Sequence, residues 1–297
     1  MYTSSMFKLL LIALVCFAND SSSVTPVSRG DQWWVQRCSK IQSEIDKAGD
    51  DSHVLFVGDS ITQGWEGAGS AVWKEMIAPL GALNFGIGGD RTEHVLWRLE
   101  KTNFGGVCPD FAVVMIGTNN FGQSNPDDEG EVLLGVVAVV EKLKELFPTM
   151  KIVLLDIFPR GKTFNAMRGS ILQVNQILQS KFAEDEDVHV LQIGHLFTES
   201  NGEISTSIMP DYLHLSEAGY QLWADALLPN LVVENTKNYG GEIIAVNDKG
   251  EVTSNAPARS DELCCQHPHH LECIVNTTSA TPGSCQHSHH LECGVTK

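Results

Sequence analysis

Five short apolar runs recur along the middle of the chain: HVLFV at 53–57, ALNF at 82–85, FAVVMI at 111–116, KIVLLDI at 151–157 and VHVLQI at 188–193. They are rich in β-branched residues with few polar interruptions. That is the pattern of strands buried on both faces of a parallel sheet. Stretches at 93–101, 131–147, 166–182 and 216–228 carry helical periodicity instead, and a further helix is expected over 33–47, before the first run. Alternation at this spacing predicts a three-layer α/β/α sandwich around a roughly five-stranded parallel sheet. Right-handed crossovers then put the strands' C-terminal ends, and the loops leaving them, along one edge where ligands bind.

The pattern breaks at both ends. Residues 1–18, MYTSSMFKLLLIALVCFA, hold one lysine and then a short apolar run, which reads as a signal peptide with cleavage at 18 or as late as about 23. A folded α/β body is expected over 32–235, a polar linker over 236–263 and a Cys/His-rich tail over 264–297. In the tail CQHPHHLEC (265–273) returns as CQHSHHLEC (285–293), and Asn276-Thr277-Thr278 between them is a glycosylation acceptor. Two copies are too few for a solenoid.

Composition narrows the partners. The 297 residues carry a formal net charge of −17, which argues against nucleic acid and against an anionic membrane surface. No segment reaches transmembrane length, so no stable membrane insertion is expected, and the oligomeric state is open. The leading residues imply a secreted, extracellular protein whose cysteines pair as disulfides. Seven remain after the signal, an odd number. Disulfides 265–273 and 285–293, or a crossed pairing, compete in the tail with metal binding by His267, His269, His270, His287, His289 and His290. A pairing of Cys38 with Cys108 is open.

Four polar clusters carry the chemistry: GDSIT after the first run, GIGGD after the second, GTNN after the third, and DYLH before the last helix. Together they supply every part of an acyl-transfer site. Ser60 is the candidate nucleophile, although Asp59-Ser60 reads equally as a helix cap. His214 is the candidate base, and Asp211, three residues earlier, would orient it. The Ser60 backbone N–H, the Gly89 N–H and the Asn119 amide are candidate donors to the oxyanion. Activity that needs neutral His214 should fall below about pH 6. The glycines of GIGGD do not follow the dinucleotide fingerprint, and no cofactor or active-site metal is expected. Trp65, Trp73, Trp97, Phe121 and Phe164 are pocket or core aromatics. Trp65 and Phe121, nearest the motif loops, are the wall candidates, and their crowding would favour short acyl chains. Arg160 and Lys162 either attract an anionic leaving group or sit in a solvated loop.

These blocks resemble the SGNH (GDSL-type) serine esterases over about residues 32–231. The strings ALNFGIGGDRTEHVLWRLE, VVMIGTNNFG, FPRG and DYLHLSEAGY are similar to the branch holding the catalytic subunits of intracellular platelet-activating-factor acetylhydrolase. The resemblance implies a metal-free serine mechanism, with Ser60, Asp211 and His214 catalytic and Ser60, Gly89 and Asn119 forming the oxyanion hole. It implies esters of small acyl groups, lipid or small-molecule. Acetylated glycans are the alternative substrate, and an inactive binding or matrix protein on the same fold is the alternative class.

Overall fold

The computed structural model describes residues 22–231 and two short strands, Ala245–Val246 and Val252–Thr253, which pair antiparallel within the expected linker. The expected signal and the Cys/His tail, with its histidines, its cysteines and Asn276, lie outside the described residues.

The five apolar runs form one parallel sheet: β1 (Val54–Gly58), β2 (Ala82–Gly86), β3 (Phe111–Met115), β4 (Lys151–Leu155) and β5 (Val188–Leu191), in the order β2-β1-β3-β4-β5. Every residue of β1 and β3 is buried, whereas β5, at the edge, is partly open. The helices are α1 (Gln32–Ala48), α2 (Ser60–Gln63), α3 (Thr92–Lys101), α4 (Thr118–Phe121), α5 (Glu129–Leu146), α6 (Ala166–Lys181) and α7 (Glu217–Leu227). Their starts follow local chemistry. Asp128 and Glu131 form a reciprocal capping box on α5, while Asn165 and Ser216 cap α6 and α7 through Arg168 N–H and Gly219 N–H.

Alternation along the strands builds two cores. Leu55 and Val57 of β1 pack with α1, α3, α5 and α6 on one face. Val54 and Phe56 pack on the other with α7 and the turns over 60–80 and 193–215. That is the three-layer α/β/α sandwich. The strand register aligns Gly58 with Gly86 and with Met115. The GDSIT, GIGGD and GTNN blocks therefore leave the sheet side by side. The chain runs from β1 to β2 on one flank and β3 on the other, so they meet where the strand order reverses.

Candidate active site

Ser60 is the first residue of α2, directly after β1. Asp59 caps that helix, its carboxylate accepting the Ile61 N–H at 2.9 Å. The cap and the serine thus coexist: the cap fixes the turn that presents Ser60. Asp59 is fully buried, and its second oxygen accepts no hydrogen bond from the described residues. Burial pushes its carboxyl up to about 7. Asp90 adds to the rise, while the Ile61 N–H, His214 and Arg160 oppose it.

Ser60 Oγ lies 2.8 Å from His214 Nε2, across 154 positions of sequence. His214 Nδ1 lies 2.7 Å from Asp211 Oδ2. The other Asp211 oxygen accepts the His214 N–H at 2.7 Å and the Leu213 N–H at 3.1 Å. One carboxylate therefore closes the turn and aims the ring. Tyr212, between them, adopts φ 61°, the single left-handed non-glycine conformation among the described residues. Such backbone costs roughly 1–2 kcal/mol and clusters at functional sites. Burial pushes the Asp211 carboxyl up. The hydrogen bonds from the His214 ring and from the His214 and Leu213 N–H groups outweigh it and hold the carboxyl below its ordinary range.

The glycine block comes close to the serine: a methyl group on Gly88 would sit 3.6 Å from Ser60 Cβ. Gly89 has φ +73°, which favours glycine there, and its N–H meets no acceptor among the described residues. Asn119 donates one amide hydrogen to Asp90 O at 2.9 Å, leaving the second for a ligand. Ser60, His214 and Asp211 are thus joined in one hydrogen-bonded series at one edge of the sheet, and Gly89 and Asn119 line a cavity at that edge.

Several supporting groups were absent from the sequence reading. Asp90 is fully buried and accepts from Arg98 Nε at 2.7 Å and from Trp34 Nε1 at 2.8 Å. Arg98 also donates to Phe85 O and Gly58 O, tying the ends of β2 and β1 to the glycine block. Asn120 accepts from Thr92 N–H and donates to Asp127, joining the start of α3 to the GTNN block. Asp127 in turn takes Ser23 Oγ of the segment before α1. Arg98 left one readable trace. It lies three residues after Val95, on the apolar stripe of α3, where a solvated arginine would not be placed.

Proximity in sequence misled the choice of aromatic walls. Trp65 is fully buried among Phe56, Trp73, Tyr220 and Trp223, and Phe121 is buried in the opposite core. Each turns inward because the apolar face of its short helix joins the core, so neither walls the site. Trp73 and Trp97 are partly buried core neighbours, and Phe164 is exposed. Arg160 is half-buried and donates to Thr118 O and Oγ1, whereas Lys162 is exposed. Cys38 is free and Cys108 is disulfide-bonded, so the two do not pair. No helix of the described residues is long and apolar enough to cross a membrane.

A parallel α/β/α sheet with a serine, an imidazole and a carboxylate hydrogen-bonded in series at its switch point is the arrangement of a serine hydrolase. The GDSL-like Lipase/Acylhydrolase family model matches residues 56–222, and the chain belongs to that family. Platelet-activating factor acetylhydrolase IB subunit alpha1 from Pongo abelii is 38% identical over 204 residues, 68% of this chain and 85% of the relative. A GDSL-like lipase from Bacteroides thetaiotaomicron superposes with a TM-score of 0.55 at 17% identity, covering 65% of this chain and 96% of that one. An acetyl xylan esterase superposes with a TM-score of 0.51 at 21% identity, covering 61% and 100%. These two show the fold. The curated relatives correct the expected secreted, extracellular location: they are subunits of the intracellular enzyme. That expectation stood on one short apolar run, whereas the match spans the folded body. Secretion is not assigned.

Proposed function

We propose that the chain hydrolyses short-acyl esters, acetyl esters first, through an acyl-Ser60 intermediate. The hydrogen-bonded series Ser60 Oγ, His214 Nε2, His214 Nδ1, Asp211 Oδ2, with contacts of 2.8 and 2.7 Å, carries the reading. His214 takes the Ser60 proton as Oγ bonds to the ester carbonyl carbon. The carbonyl oxygen becomes an oxyanion beside the Ser60 N–H, the Gly89 N–H and the free Asn119 amide hydrogen. Collapse breaks the bond to the leaving oxygen, which takes the proton from His214. Water then gives a proton to His214 and attacks the acyl-enzyme, and the same proton returns to Ser60 Oγ as the acid leaves. Asp211 holds the ring tautomer and supports the imidazolium. The acetyl preference is supported by the name of the curated acetylhydrolase relatives.

Wild type and Ser60→Ala would be compared on p-nitrophenyl esters of graded length. The variant should lose about ten-thousand-fold in kcat on the acetate. Wild type should prefer acetate to octanoate. Equal rates for the two proteins would remove Ser60 from the mechanism, and a preference for octanoate would remove the short-acyl reading.

A further inference from the structure

Next to the oxyanion donors lies a cavity of about 370 Å³ lined by Arg29, Gly89, Arg91, His94, Asn119, Gly122 and Gln123. No carboxylate lines it, on a chain whose net charge is −17. Two guanidiniums do. Arg29 comes from the segment before α1 and is held from several sides. Its Nη1 donates to Gly88 O at 2.8 Å, its Nη2 lies 3.0 Å from Asp31, and it stacks 4.8 Å from the centre of the Trp33 ring. Arg91 is the residue before α3. Its Nε lies 2.5 Å from Glu93, and its Nη1 donates to Gln123.

These bonds immobilise both side chains while leaving them partly exposed, at 20% for Arg29 and 28% for Arg91. A third guanidinium, Arg160, stands behind Gly122: a methyl group there would meet its Nη1 at 2.8 Å. The positive end of the α3 dipole also falls at Arg91. Fixed arginines in a recess favour oxyanions, because an arginine fork matches carboxylate and phosphate geometry and its ordering cost is already met.

We propose that this cavity binds an anionic oxygen group, phosphate or carboxylate, carried by the ester substrate, with Arg91 and Arg29 as its specificity determinants. The proposal rests on the esterase reading above and deepens it: the preferred substrates are negatively charged esters. Neither arginine belongs to the four motif blocks. Arg29 is supplied by a segment that precedes the family match at residue 56.

Four acetates of matched benzyl alcohols test it: unsubstituted, para-carboxy, para-phosphonomethyl and para-trimethylammonio. In wild type the better of the two anionic esters should exceed the neutral one about tenfold in kcat/KM at low salt, and the cationic ester should fall below it. The two anionic arms distinguish phosphate-like from carboxylate ligands. Arg91→Gln should bring the anionic-to-neutral ratio near one, and Arg91→Lys should retain part of it. The ratio is taken within each protein, so a general loss of activity cancels. If Arg91→Gln does not fold, Arg29→Gln gives the same reading.

Calorimetric titration of the Ser60→Ala protein with inorganic phosphate reads the cavity without turnover. Saturable binding, weakened about tenfold by adding Arg91→Gln, is expected. An anionic-to-neutral ratio of one or less in wild type, or a ratio unchanged by Arg91→Gln, would overturn the proposal, as would phosphate binding indifferent to Arg91. Full activity of Ser60→Ala would instead sink the esterase mechanism and leave the cavity to be judged by the titration.

Discussion

The two halves of the candidate site are built in opposite ways. The serine and glycine-block half is cross-braced from beneath: Asp59 and Asp90 are fully buried and Arg98 bonds β1, β2 and the glycine block together, while Gly89 itself is exposed. The acid–base half is an open turn. Asp211 and His214 have side-chain exposures of 56% and 44%, and local hydrogen bonds plus one left-handed residue hold them. The difference matches the chemistry. In the proposed mechanism, donors to a developing oxyanion gain from rigidity, whereas the imidazole exchanges a proton with the leaving group and with water.

If that division is right, substitutions in the two halves should fail differently. After the loss of Ser60 itself, the largest effect is expected from Asp211→Ala, which should lower kcat about a thousandfold or more. Its urea midpoint should move little, because water can replace the exposed carboxylate. A large loss of stability with normal turnover would reverse the comparison. Arg98→Ala should do the opposite. It leaves buried Asp90 with only Arg29, 3.5 Å away, as a cationic partner, and a denaturant titration should register a cost of about 3 kcal/mol. Stability within experimental scatter of wild type would show that the bracing is idle.

A smaller effect concerns Asp59. Its folded-state pKa, raised by burial to about 7, lies above the unfolded value, so the folded protein holds the extra proton between about pH 4 and pH 7. Stability therefore falls as pH rises through that window and levels off above it. Asp59→Asn keeps an oxygen for the Ile61 N–H and removes the titration. Relative to wild type, the variant should gain of the order of 2 kcal/mol between pH 5 and pH 8. A pH-independent difference would place the buried charge elsewhere.

The same contrast explains what could be read from the chain. The strands, the main helices and the four blocks carry local signals: apolar runs, periodicity, glycines and caps. The Asp211–His214 turn is equally local, because three residues span it. The bracing is not. Arg98 reaches Gly58, forty positions away, and nothing near Gly58 announces its partner. Trp65 shows the converse error. It follows Ser60 by five residues, yet a turn and a half of helical chain carries its ring into the core. Arg29 could not be assigned to the cavity from sequence either, since only the docking of the segment before α1 brings it to Gly88.

The central claim is that Ser60 becomes acylated. The protein would be mixed with p-nitrophenyl acetate, quenched in acid within the first turnover, digested and weighed. The account predicts one acetyl group on the peptide that holds Ser60, absent from Ser60→Ala and removed when the wild-type acyl-enzyme is left in water. Turnover of the ester with no acetyl on that peptide at any quench time, or acetyl on a different residue, would contradict it.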